Sequence, residues 1–341
     1  MSPISRRLSI VLAASAFAAP ALAQQPTPVK FTLDFVIQGP QAPFFLAAER
    51  GLYAREGVNL TALDAGRGSA DTVNRIASGA YDVGIGDINA MIEYNAKNPG
   101  KELVAVMMYY DSGPFAIITM RDKGIATPKD LAGRKAAAPS FDTPFRLFPI
   151  FAKANGIDAK SVSWANVAPP LREPMLAQGQ TDMISGFSFT SVLALRTLGV
   201  PESKLQVFLY REYGVDLYSN AIIVQPEWAA KNPKAMAGFV KATLRGMQDT
   251  IADPRAAIAS VKKREALLNE NLEYERLMMA IGSSMITEDV KKNGLGAVRA
   301  DRMARNIAQV TEAFELPRTL RPEQVFDSKF LPPRAERMPT R

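Results

Sequence analysis

The sequence predicts an α/β protein of two lobes between which the chain crosses twice, and three observations carry that prediction. Segments that alternate like half-buried strands are each followed by a stretch with apolar residues at three- and four-residue spacing. This pairing runs through one block and starts again near Phe115. From Ala229 the alternation stops, and helical stretches run almost to the C terminus. Strands separated by helices of this length imply right-handed crossovers and a mostly parallel sheet. If the helical segment packs back on the first block, lobe 1 is discontinuous, residues 24–113 plus 219–341, and residues 114–218 form lobe 2. The crossings then fall near Ser112–Pro114 and Tyr210–Tyr218, a connection that permits hinge closure.

The elements follow in order. "VKFTLDF" reads as a strand and "APFFLAAERGLYAREG" as a helix that turns at Gly57; "VNLTALDA" is a second strand. In the helix "GSADTVNRIASG", Ala70, Val73 and Ala77 recur at helical spacing. "AYDVGIGD" and "ELVAVMMYY" are strands on either side of the helix "INAMIEYNAKNPG". In the second block "FAIITM" is a strand, and "TPKDLAGRKAAAPS" holds a short helix capped by Thr127, then another strand. "TPFRLFPIFAKANG" is a helix, "SVSWANVA" a strand and "PLREPMLAQGQ" a helix. "TDMISG" leads into the helix "FSFTSVLALRTLG", and "DLYSNAIIVQPEW" returns to strand character. The tail from Pro317, rich in Pro and Arg, is expected to lie along the surface.

The first residues read as a removable leader. "MSPISRRLSIVLAASAFAAPALA" has two early arginines, an apolar Ala-rich stretch and a small-residue end, so cleavage is expected after Ala23. Export by the Sec route is the default, although Ser5-Arg6-Arg7 matches part of a twin-arginine signal. With no cysteine in the chain, no lipid anchor and no disulfide is expected. A chain of this length buries a sufficient core without such staples, and no later apolar run reaches spanning length. The 41 Lys and Arg stand against 34 Asp and Glu; removal of Arg6 and Arg7 with the leader leaves a net charge of +5. These charges are dispersed, with no basic run interleaved with aromatics, so no nucleic-acid partner is expected. The absence of histidine and cysteine excludes Ser-His and Cys-His nucleophiles and zinc sites built from those residues. No catalytic residue, metal or cofactor is expected.

The candidate ligand-binding residues sit on loops that leave strand ends, where open α/β sheets bind ligands. In "LDFVIQGPQAPFF", Phe35 offers an aromatic face, while Gln38 and Gln41 each carry a donor and an acceptor. Pro40 and Pro43 stiffen that loop, which lowers the ordering cost of binding. "GRGSAD" opens a helix that Ser69 can cap, with Arg67 as a source of positive charge. Asp87 stands at a strand end and a helix start, suited to capping or to accepting a ligand N–H. Tyr110 and Asp111 lie beside the first crossing. In the second block, Ser140, Phe141 and Thr143 precede a helix in which Arg146 stands one turn in, and Asp142 or Thr143 can cap it. "SGFSFT" adds Phe187 and Phe189, one for the core and the other for the cleft wall. Asp87 and Asp111 disfavour a bare anion in the cleft; Arg67 and Arg146 favour one.

Three stretches occur in family order: "TLDFVIQGPQAPFFLAAERGLYAREGVNL", "AGRGSADTVNRIASGAYDVGIGD" and "IATPKDLAGRKAAAPS". Together they resemble the periplasmic solute-binding proteins of ABC importers, in the branch of nitrate, taurine, alkanesulfonate and thiamine-pyrimidine-precursor binders. The resemblance implies a type II periplasmic-binding-protein fold, with a ligand cleft between the lobes and the C-terminal helical segment on lobe 1. The first stretch is nearest the thiamine-precursor pattern L-D-W-x-P-N-x-x-H. Here Leu33 and Asp34 match, Phe35 replaces the tryptophan, Ile37 the proline, Gln38 the asparagine and Gln41 the histidine. The expected function is capture of a small polar or heteroaromatic solute, pyrimidine-like or a sulfonate or carboxylate anion, without catalysis. The implied partner is an inner-membrane ABC permease with its ATPase, and a monomer is expected. The alternatives are an exported sensor or adaptor module and an exported enzyme using Ser-Lys or paired carboxylates.

Overall fold

The computed structural model describes residues 25–340; the expected leader and its cleavage point at Ala23 lie outside the described residues. Among the described residues, ten strands form two five-stranded sheets. The first contains β1 (Thr27–Thr32), β2 (Val58–Asp64), β3 (Val83–Asp87), β4 (Val104–Met108) and β10 (Asn220–Val224), in the order β2-β1-β3-β10-β4. The second contains β5 (Phe115–Met120), β6 (Lys135–Ala138), β7 (Ser163–Asn166), β8 (Met183–Phe187) and β9 (Leu205–Leu209), in the order β7-β6-β8-β5-β9. Each sheet with its helices forms one lobe, and the chain passes between them after β4 and after β9.

Two expectations about the sheets need correction. The sheets are mixed rather than mostly parallel: β10 runs antiparallel to β3 and β4, and β5 runs antiparallel to β8 and β9. The cause is the double crossing, since a strand that arrives from the other lobe enters its sheet against the direction of its neighbours. The short strand β9, "LQVFL", was missing from the sequence reading; it is an edge strand with only β5 beside it.

Phe31 of β1 shows how the first lobe packs. Its ring lies 4.9 Å from Phe44 on the helix Ala42–Glu49 and 5.1 Å from Phe239 on the helix Pro233–Ala252. All three rings are fully buried, so one strand residue welds two distant helices to the same sheet face. The C-terminal helices accordingly pack mainly on lobe 1. The tail also departs from expectation: Val325, Phe330 and Arg337 are buried, and Phe326 bridges to Ala105 on the free side of β4. Gly296, in the loop before the helix Ala300–Ala313, bridges to Met108 on the same strand, so this loop and the tail together cover an edge that would otherwise expose unpaired backbone groups.

One guanidinium ties the two crossings together. Arg302, on the helix Ala300–Ala313, donates to the Asp111 carboxylate at 3.1 Å and to Asp216 at 2.8 Å, and lies 4.0 Å from the centre of the Tyr218 ring. Asp111 belongs to the first crossing and Asp216 and Tyr218 to the second.

Asp87 is fully buried at the start of the helix Ile88–Lys97, where it accepts the Asn89 N–H and the Ser219 hydroxyl, both at 2.9 Å. Burial outweighs those donors and pushes its carboxyl up to about 6. A carboxyl raised in the folded state stabilises it fully below the unfolded pKa near 4, and that contribution is lost as pH rises through about 6. Asp87→Asn keeps an acceptor for the Asn89 N–H and should remove this loss. Between about pH 4 and 7 the wild type should lose on the order of 3 kcal/mol more stability than the variant in denaturant unfolding. Equal pH slopes would contradict the assignment.

Candidate functional site

The chain leaves β1 through Leu33 and Asp34, and Asp34 organises the first wall of a cavity between the lobes. Its carboxylate is buried and accepts from the Gln41 amide at 3.1 Å and from the Asn220 amide at 2.7 Å. Burial is the larger effect and raises its pKa. Gln41 also accepts the Gln38 N–H at 3.1 Å, so its amide braces the loop from both ends. Expected to read a ligand, Gln41 instead spends its principal donor and acceptor on the protein. Gln38 keeps its NH₂ available, with its carbonyl oxygen 3.4 Å from the Thr190 hydroxyl across the cavity. The Tyr109 hydroxyl donates to the Pro40 carbonyl at 2.6 Å and seats the turn Gly39–Gln41.

The Gly-rich turn is docked onto this wall by its backbone. The Gly66 N–H donates to the Phe35 carbonyl at 2.9 Å and the Gly68 N–H to the Asp34 carbonyl at 2.8 Å. Gly68 holds φ at 124°, and a Cβ there would lie 2.7 Å from the Phe141 ring. Only glycine fits where the lobes meet. Gly68, not Ser69, takes the capping position of the helix Ser69–Ala77; Ser69 is its first residue and lines the cavity.

The second wall is built around Arg172, on the helix Pro169–Ala177. Its guanidinium donates to Glu173 at 2.7 and 2.9 Å, to Ser191 at 3.0 Å and to Asp142 at 3.2 Å. Burial alone would lower the Arg172 pKa, but the Asp142 and Glu173 carboxylates more than offset it and raise the value. Asp142 also accepts the Ser185 hydroxyl at 2.8 Å, and burial still pushes its carboxyl up. Asp142 precedes its short helix without capping it through the side chain, because both carboxylate oxygens are engaged elsewhere. Tyr110, Phe187 and Phe189 form an edge-on aromatic cluster, with ring centres 5.8 to 6.5 Å apart.

The walls enclose a cavity of about 70 Å³, or about 640 Å³ of space when its solvent-open part is counted. Of the residues expected to bind ligand, Phe35, Gln38, Gln41, Ser69, Tyr110, Phe141, Thr143 and Phe187 line it. The other five stand elsewhere. Arg67 and Ser140 are exposed beside the contact between Gly68 and Phe141, outside the lining. Asp87 is sealed in the first lobe, and Asp111 is committed to Arg302 and Thr287 at the crossings. Arg146 pairs with Glu93 of the other lobe and lies over the Phe314 ring. Sequence reasoning missed Asp34, Asp142, Arg172 and Thr190 as lining residues. A charged Arg172-Glu173 pair set one residue after two prolines was the available signal for the second wall.

The family profile described as "NMT1/THI5 like" matches residues 39–257, from the cavity turn through the long C-terminal helix. The chain belongs to the NMT1/THI5-like family. Among relatives of this NMT1/THI5-like protein, the riboflavin-binding protein RibY of Chloroflexus aurantiacus is 24% identical, with 94% of this chain and 91% of that protein covered. The 4-amino-5-hydroxymethyl-2-methylpyrimidine phosphate synthase of Legionella pneumophila is 21% identical, covering 89% of this chain and 92% of that protein. Two solved structures share the fold. The periplasmic aliphatic sulphonate binding protein SsuA of Escherichia coli superposes with a TM-score of 0.70 at 15% identity, covering 91% of this chain and 95% of its own. The periplasmic nitrate-binding protein NrtA of Synechocystis gives 0.64 at 15% identity, covering 92% and 91%. The fold is the two-lobed type II periplasmic-binding-protein architecture.

Removing Arg172 strands Asp142 and Glu173 in a desolvated wall. Arg172→Met should destabilise the protein by about 3–5 kcal/mol in chemical denaturation, the usual penalty for breaking a buried charge pair from one side. A loss under about 1 kcal/mol, the range of exposed ion pairs, would contradict the network described here.

Proposed function

We propose that this NMT1/THI5-like protein is the periplasmic substrate-binding component of an ABC importer, and that its solute is a flat nitrogen heterocycle with N–H donors. The observation that carries this reading is the make-up of the cavity. Phe35, Tyr110, Phe141, Phe187 and Phe189 supply aromatic faces, while Asp34 and Asp142 supply buried acceptors. Among the described residues Arg172 is the only cation in the lining, and two carboxylates already neutralise it. A sulfonate, carboxylate or nitrate entering here would meet two carboxylates and no unmatched positive charge, an expensive burial. A heterocycle instead stacks on the rings and donates to Asp34 or Asp142, with Gln38 serving its mixed polar edge.

Two relatives support this chemistry, since riboflavin and 4-amino-5-hydroxymethyl-2-methylpyrimidine each contain a flat nitrogen ring. The synthase reading gains no support from this cavity, which is lined by no lysine in a chain without histidine or cysteine. In our reading, cleavage after Ala23 releases the protein into the periplasm. Residues 24–113 with 219–341, and residues 114–218, then move as the two lobes around the solute. An inner-membrane permease with its ATPase receives the loaded protein.

Calorimetric titration of the mature protein, refolded from denaturant to remove any carried ligand, tests the proposal. Riboflavin and the aminopyrimidine form two arms, while nitrate and an alkanesulfonate form two more. Heat from one heterocycle and silence from both anions is the expected pattern, and the responding arm identifies the ring. Phe35→Ala should weaken that binding about tenfold or more, because a half-buried ring loses its contact with the solute. Binding of an anion without either heterocycle would overturn the proposal.

A further inference from the structure

Neither Glu273 nor Arg276 lines the cavity, yet between them they hold both of its walls. They lie one turn apart on the helix Glu270–Ala280, with side chains 8% and 4% exposed, and pair at 2.9 Å. The Glu273 carboxylate also accepts the Gly39 N–H at 2.7 Å. That contact is close enough that a Cβ on Gly39 would lie 2.1 Å from the Glu273 carbonyl oxygen. Gly39 starts the turn that ends in Gln41, the brace of Asp34, so this carboxylate positions the first wall. Arg276 reaches the opposite way, donating to the Phe189 and Thr190 carbonyls at 3.1 and 3.0 Å. Those residues open the helix that follows β8, and both face the cavity.

We infer that the buried Glu273–Arg276 pair is a positioning element that couples the two cavity walls and thereby sets how long a solute is held, without touching it. The inference rests on the binding reading above. Among the described residues, two other polar links join residues 270–285 to the second lobe, and both are weaker by their setting. Arg196 pairs with Glu275 where both are substantially exposed, and such pairs contribute little. Arg211 donates to the Ser283 carbonyl at 3.2 Å in the turn that follows the helix. Arg276 differs in being desolvated, charge-matched by Glu273, and bonded to two acceptors at once. Parting the lobes breaks both of those bonds and leaves the guanidinium without partners across the gap, whereas Glu273 keeps the Gly39 N–H. Release of a solute requires that parting, and association starts from lobes already apart; the pair therefore acts on release.

The chain has no cysteine, so Arg67→Cys and Ser140→Cys place two spin labels on opposite lips of the cleft with no background. In this background, E273Q/R276M removes both charges while keeping an acceptor for the Gly39 N–H. Without ligand, its label separation should shift to longer values than in the unsubstituted background. In stopped-flow fluorescence with riboflavin, its release should be about tenfold faster, with association changed less than about threefold. Should that double variant fail to fold, R276K carries the same test, because its donors sit on one nitrogen, whereas Arg276 reaches Glu273 through one nitrogen and the two carbonyls through another; its separation should lengthen and its release quicken about threefold. Unchanged separation, or unchanged release where riboflavin binds, overturns the inference. Should riboflavin and the aminopyrimidine both fail to bind the wild type, the transport reading falls, and the spin-label separation alone decides whether the pair couples the walls.

Discussion

A carboxylate withdrawn from water must find its donors in the protein, and the way Asp34 finds them shapes the whole binding face of the first lobe. One donor comes from Gln41, a turn away in sequence; the other comes from Asn220, at the start of the strand that returns from the second lobe. Satisfying one side chain therefore fixes the proline-stiffened loop, the insertion point of β10 and the place where the Gly-rich turn docks. The second wall follows the same rule with the opposite sign: Arg172 is buried only because Asp142 and Glu173 are buried with it. Both walls thus present polar groups whose own needs are largely met, set among aromatic rings. In the proposed reading, such a surface favours a neutral flat molecule over an unaccompanied charge.

Charges outside the cavity do different work. Arg302 joins the two crossings through Asp111 and Asp216, Arg146 meets Glu93 between the lobes, and Arg276 reaches from one lobe to backbone carbonyls of the other. In the proposed reading, ligand recognition rests mainly on the cavity lining and lobe geometry mainly on these outer charges. A substitution in either set can therefore be read for its own effect, on which solute enters or on how the lobes sit.

The two-block α/β plan was legible because periodicity and turn residues are local properties, and the loop from Phe35 to Pro43 was legible because two prolines stiffen it between a strand and a helix. Phe141, Thr143 and Phe187 fall on the cavity lining for the same positional reason, at strand ends. Strand direction was not legible, since it depends on the path taken between lobes. Asp111 and Arg146 misled because a position near a strand end or one turn into a helix fixes only a neighbourhood. The partner that claims the side chain, Arg302 or Glu93, is distant in sequence. Arg172 was overlooked for the converse reason. Beside Glu173 it reads as a solvated pair on a helix, and only packing against Asp142 and Ser191 makes it a wall.

The most direct test of this account is a crystal structure of the mature protein grown with riboflavin or the aminopyrimidine, whichever binds. The account predicts the ring inside the cavity, against Phe35 or the Tyr110–Phe187–Phe189 cluster. An N–H edge should rest on Asp34 or Asp142, and no anion on Arg172. A ring bound elsewhere on the surface, or a sulfate or sulfonate seated on Arg172 with the Asp142 contact broken, would contradict it.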